Sequence, residues 1–246
     1  MNVKKKIKRF FRQVWELITM CGGPLIMYAG MSLILILLTI GQSLKFNAGS
    51  AVWWALSLVV IIGYNALVSY AQGSSSFEML ISGNLRRQTS QDLDVGHKKS
   101  RYRLEKEYRV WKGFVAGAIL GLIPLVSAII FGKNQAIIDG VFMEDIKNEN
   151  SVFGWVFLIF LLLSGWSNVL FILLNTAGAG ISYYFCALFA IVPILTSGFM
   201  YIAGAYGKRR KSLREQALKE KEALSNEAPK KVNYGGLPGT KPKKRR

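Results

Sequence analysis

Twenty-nine of the 32 lysine and arginine residues lie in three blocks, Met1–Arg12, Arg86–Lys112 and Lys208–Arg246, and long apolar runs fill the sequence between them. This segregation constrains the fold more than any motif does. Moving Lys and Arg across a bilayer is unfavourable, so basic blocks beside apolar runs mark the cytoplasmic side of a multi-pass membrane protein. The chain is 51% hydrophobic yet carries a formal net charge of +18. A soluble protein with nucleic-acid-binding tails would reconcile those values differently, but runs of about 20 apolar residues have the length of membrane spans. The expected fold is an all-α, polytopic membrane helix bundle with four or five hydrophobic segments, an N-terminal interfacial amphipathic helix and a disordered basic C-terminal tail.

The first block continues into Phe10, Phe11, Val14, Trp15 and Ile18, spaced three and four apart. That periodicity predicts an amphipathic helix over residues 1–19, with Lys4, Lys5, Lys8, Arg9 and Arg12 as its charge. A signal peptide is the competing reading, with Ala48-Gly49-Ser50 as a cleavage site. Its positive region would be unusually extended, and Cys21–Ile40 is long enough to cross a core of roughly 30 Å. Residues 20–71 then form a hairpin of two spans, Cys21–Ile40 and Val52–Ala71, the second entered through Trp53 and Trp54. Residues 72–112 make a basic cytoplasmic loop, whose latter part, Lys98–Lys112, has no Gly or Pro and is expected to run as helix into the third span.

The third span, residues 113–131, opens with Gly113, Gly117 and Gly121. Glycines every fourth residue leave a flat stripe where another helix approaches closely, either within the chain or across a homo-oligomer seam. Residues 132–150 form an external loop with Asp139, Glu144, Asp145 and Glu149. These acids lack the alternating spacing and central Gly of a calcium loop, so no metal site is assigned.

Residues 151–206 contain no charge and form a hydrophobic pair, Val152–Leu174 and Tyr183–Tyr206. Here topology and charge conflict. Five crossings from a cytoplasmic N-terminus place residues 207–246 outside, yet that tail begins Lys208-Arg209-Arg210-Lys211. One net crossing removes the conflict if Val152–Leu174 enters and returns on the external side, bending at Ser164-Gly165-Trp166-Ser167-Asn168. Such a re-entrant segment needs neighbours that satisfy its opened backbone. The expected location is the cell membrane, with both termini cytoplasmic. An external tail able to bind an anionic envelope polymer is the alternative.

Over Lys208–Asn226 the tail has helix formers and i,i+4 charge pairs, Lys211 with Glu215 and Glu215 with Lys219. After Pro229 it is too rich in Gly, Pro and Lys to bury a core. It ends in Lys241, Lys243, Lys244, Arg245 and Arg246, suited to long-range attraction to phosphate. In composition the tail is similar to the basic tail that YidC-type membrane insertases use near the ribosome. The resemblance covers the tail alone, and the charged residue those insertases place within the membrane has no counterpart in the apolar runs.

Residues with recognisable chemistry are few. His97, the one histidine, has no second ligand at metal spacing. Cys21 and Cys186 read as packing residues, not a disulfide framework. No nucleophile motif or phosphate-binding loop occurs, so the chain reads as no enzyme, with no cofactor. Asn65, Asn168 and Asn175 are the polar candidates inside the spans, either bonding between helices or touching a substrate. Two functions follow. One is a non-catalytic scaffold or accessory subunit of a membrane complex, whose basic face (Arg86, Arg87, Lys98, Lys99, Arg101, Arg103 and Lys208–Lys211, with the terminal cluster) engages anionic lipid, RNA or the ribosome, or an acidic protein. The other is a small transporter or permease subunit.

Overall fold

The computed structural model of the chain describes residues 3–41, 47–89, 106–136, 138 and 151–227. All regular structure among them is helical: α1 (Val3–Gly41), α2 (Ala48–Thr89), α3 (Trp111–Lys133), α4 (Ser151–Thr176), a 3₁₀ segment (Tyr183–Ala190) and α5 (Ile191–Glu227). Among the described residues, five stretches are long and apolar enough to cross a membrane: Phe10–Thr39, Ala48–Ile81, Trp111–Lys133, Trp155–Thr176 and Tyr183–Ala223. Residues 1–208 form one compact unit and residues 209–246 a second, whose described part is the polar end of α5.

Cross-links between helices fix which ends lie together in the first unit. Near the middle of α1, the Met20 carbonyl accepts from Gln72 of α2 at 2.9 Å, and Glu16 pairs with Lys112 of α3 at 3.2 Å. The Tyr108 amide donates to the Ser76 carbonyl at 3.0 Å, and its ring stacks on Tyr201 of α5 with centroids 5.3 Å apart. Lys208 pairs with Glu78. Residues 16–20 of α1, residues 72–78 of α2, the start of α3 and residues 201–208 of α5 therefore share one end of the unit, which holds Lys112 and Lys208. Helices α1, α2, α3 and the stretch 183–208 alternate in direction, up and down.

Helix α4 does not join that alternation. It meets the far end of α3 at two places and is linked at a third, through Ile181, to the turn that follows α3: the Phe157 ring lies 4.9 Å from that of Phe131, Asn168 donates to Ser127 at 2.5 Å, and the Ile181 carbonyl accepts from both Asn175 and Gln135, at 2.9 and 3.3 Å. These contacts cover residues 127–135 on one side and 157–175 on the other. At 1.5 Å of rise per residue they extend about 12 Å along α3 but about 27 Å along α4. Helix α4 thus lies across the end of α3, with both of its own ends at the end of the unit away from the basic blocks.

Three local expectations change. The bend at Ser164–Asn168 is absent and α4 is unbroken. Ser164 and Ser167 return their hydroxyls to the carbonyls of Phe160 and Ser164, at 2.5 and 2.8 Å, so the helix keeps its ladder and its polar side chains are satisfied locally. Residues 106–110 form a turn, not the helix expected from Lys98 onward, because Tyr108 is tied to α2 and stacked on α5; residues 98–105 lie outside the described residues. Helix α1 passes Thr19 and Pro24 without interruption, so the N-terminal helix and the first span are one element.

Several exposed tryptophans and tyrosines fall in two belts. Trp15, Tyr70, Trp111 and Tyr206 lie toward the basic end, and Trp53, Trp155 and Tyr184 toward the other. The Tyr184 ring lies beside Gly132, and Trp111 to Gly132 is about 32 Å of helix, close to a hydrocarbon core of roughly 30 Å. Trp and Tyr favour that boundary. The belts and the five apolar helices together support a membrane location.

Candidate functional site

At the basic end, charge is buried among helices. Lys112 is 3% exposed and Glu107 6%. A lone buried ammonium is costly; the Glu16 carboxylate at 3.2 Å offsets it, which ties α1 to α3. Glu16 is the one acid before Glu78. Beside it a cavity of about 340 Å³ is lined by Glu16, Thr19, Met20, Ala71, Gln72, Ser75, Ser76 and Lys106. Residues Glu16, Thr19 and Met20 face it from α1, and Ala71, Gln72, Ser75 and Ser76 from α2. The Gln72–Met20 bond joins the two helices there. Hydroxyls, one amide, one carboxylate and one ammonium in so small a space can bind a polar, charged group.

The glycine stripe lies against the stretch 190–201 of the same chain. A Cβ at Gly113 would come 2.6 Å from the Tyr201 Cβ, one at Gly117 2.5 Å from the Pro193 carbonyl oxygen, and one at Gly121 2.7 Å from that of Ala190. Backbones meet there as closely as glycine permits. Two further glycines do the same between α2 and α5: a Cβ at Gly73 would reach 2.0 Å from the Tyr201 carbonyl oxygen, and one at Gly204 2.0 Å from that of Tyr70. The sequence reading missed this second seam, because Gly73 and Gly204 have no partner at four-residue spacing.

The asparagines sit at three separate joints. Asn65 donates to Thr196 at 2.7 Å and accepts from Ser197 at 3.1 Å, joining α2 to α5. Asn168 donates to Ser127 of α3 and to Ser164 one turn back in α4, at 2.5 and 2.8 Å. Asn175 closes the turn after α4, accepting from the Ile181 amide at 2.7 Å while donating to its carbonyl. Gly178 and Gly180 supply the positive φ, 89° and 61°, that this turn requires.

Of the basic residues, Lys208 is paired with Glu78, and Arg209, Arg210 and Lys211 are exposed at the start of the second unit. Arg86 and Arg87 lie on the last turns of α2. Lys98, Lys99, Arg101, Arg103 and the cluster Lys241, Lys243, Lys244, Arg245 and Arg246 lie outside the described residues. The sequence reading placed Glu16 in an interfacial helix and counted Lys112 with the loop. What singled them out was rarity: an isolated acid amid bases, and a base opening an apolar run. Comparison with protein-family models, with curated proteins and with solved structures finds no significant match.

Proposed function

We propose that this protein is a membrane scaffold or accessory subunit that gathers its basic segments on one cytoplasmic face and uses them to engage an anionic partner. The observation that carries this reading is the meeting of Glu16–Lys112, Ser76–Tyr108 and Glu78–Lys208 at one end of the bundle. Those pairs join Lys112, at the end of the second block, to the helix that carries the first, and Lys208, at the start of the third, to the helix that leads into the second, and like charges gathered on one face sum their attraction to phosphate. In the proposed topology α1, α2, α3 and the stretch 183–208 cross, and α4 lies in the outer leaflet. Both termini are then cytoplasmic, and the charge rule is obeyed throughout.

The partner is anionic lipid at the membrane surface, where each basic residue contributes about 1 kcal/mol. Deleting residues 229–246 removes seven basic residues and should leave the bundle folded. Binding to anionic vesicles at low salt should fall at least roughly tenfold, with the difference shrinking as salt is raised. Ribosomes, assayed separately, distinguish an RNA-directed tail. Full-length protein that binds neither would overturn the reading. Truncated protein that binds as the full chain does would shift recruitment to Arg86–Lys112.

A further inference from the structure

We infer that the cavity between α1 and α2 binds a phospholipid through its phosphodiester, whatever headgroup lies beyond the phosphate. This inference rests on the membrane reading above and adds to it one lipid at a defined place. What the cavity offers a ligand follows from which of its polar groups are already engaged. Glu16 turns its carboxylate inward, with one oxygen 3.2 Å from Lys112 and the other buried, so its charge is balanced inside the bundle. The Thr19 hydroxyl gives its proton to the Glu16 carbonyl at 2.7 Å, and Gln72 gives one amide hydrogen to the Met20 carbonyl at 2.9 Å. Lys106 and Ser75 are exposed in the lining, and neither side chain bonds to another group among the described residues. What remains for a ligand is a set of donors: the Lys106 ammonium, the Ser75 hydroxyl and the second N–H of the Gln72 amide. With Glu16 offset by Lys112, the lining carries an excess of one positive charge. A phosphodiester, with one negative charge and acceptor oxygens only, is the complement of that set.

The position of the cavity favours a lipid over a free ion. Thr19, Ala71, Ser75 and Lys106 are exposed, so the cavity is open to the outside. Trp15, one turn before Thr19, is 66% exposed and belongs to the interfacial belt. Ile26, two turns beyond Thr19, and Leu67, one turn from Ala71 toward the far end, are 77% and 71% exposed. Helical spacing puts each on the same face as the cavity residue of its own helix. Between Thr19 and Ile26 lies Gly22, where a Cβ would meet nothing within 4 Å. The bare backbone there leaves room for an acyl chain to run from the cavity toward Ile26. A phosphate in the cavity therefore sits at headgroup depth with its chains along an apolar track, which inorganic phosphate would leave empty. The volume of about 340 Å³ is at the low end for small-molecule clefts, about 300–1,000 Å³, enough for a glycerophosphate without its chains.

The test uses the full chain, delipidated in mild detergent, with phosphatidylcholine, phosphatidylethanolamine or diacylglycerol of the same chains added back. Bound lipid is counted by native mass spectrometry and the thermal midpoint is followed in parallel. The two phospholipids should be retained alike and raise the midpoint, and diacylglycerol should be retained roughly tenfold less, the cost of losing a charge-assisted hydrogen bond. Lys106→Met should lower phospholipid retention to the diacylglycerol level, Lys106→Arg should keep it, and Ser75→Leu, which fills the cavity without changing charge, should lower it as well. Both positions are exposed, so the lipid-free midpoint of each variant should stay that of the wild type. Equal retention of phosphatidylcholine and diacylglycerol, a preference between the two phospholipids, wild-type retention in Lys106→Met, or displacement by inorganic phosphate would each overturn the inference. Phosphatidylcholine has no net charge to draw it to the basic tail, and deleting residues 229–246 should leave its retention unchanged. Vesicle recruitment by the tail and lipid binding in the cavity therefore fail separately.

Discussion

Single atoms decide whether helices in this bundle can touch. A Cβ at Gly117 has no room beside the Pro193 carbonyl, whereas one at Gly63 meets nothing within 4 Å. Gly117→Ala should therefore lower stability in detergent by about 1–3 kcal/mol, the usual range for overpacking. Gly63→Ala should be neutral or slightly stabilising, since Ala is the better helix former. Thermal midpoints of the two variants check this, and equal midpoints would mean that the seam at Gly117 is loose in solution. Asn65 presents the complementary case of a side chain that holds by bonding. Asn65→Ala removes the acceptor of the Ser197 hydroxyl and the donor to Thr196, which keeps its own bond to the Val192 carbonyl, and should cost about 1 kcal/mol, within the range for polar contacts in membrane helices. The glycine stripe was legible in the sequence because its period matches the helix. The partners of the glycines and of Asn65 were not, since they lie far along the chain, on α5 and the 3₁₀ segment before it.

At the scale of elements, the apolar runs fix where helices form, and the few charges inside them fix how two helices meet. Glu16 and Lys112 join the first and third helices with side chains only 12% and 4% exposed. Removing Lys112 takes from the buried Glu16 its partner on α3, so Lys112→Met should destabilise by about 3–5 kcal/mol. The double variant Glu16→Gln, Lys112→Met should recover much of that, because both charges of the pair are then gone. A double-mutant cycle on detergent stability measures the coupling, and additive effects would show that the pair is not joined in solution. The sequence made five apolar segments readable but could not show the tilt of any of them. Hydrophobicity reports burial or lipid contact, which a crosswise helix satisfies as well as a crossing one. Hence α4 read as a span or a bent re-entrant loop, while in the structure it is straight and lies across the end of α3.

For the whole molecule, the number of crossings sets which compartment meets the tail. Five apolar segments counted along the sequence put it outside, and the basic residues after Gly207 put it inside. The conflict disappears when α4 is taken out of the count, as the proposed topology does. On that proposal all three basic blocks face the cytoplasm. Single cysteines at Ser100, Lys147 and Ser225 test this in intact cells, against a background in which Cys21 and Cys186 are buried. A membrane-impermeant thiol reagent should label position 147 before lysis and positions 100 and 225 only after it. Labelling of position 225 in intact cells alongside position 147 would mean that α4 crosses, and would contradict the single cytoplasmic basic face.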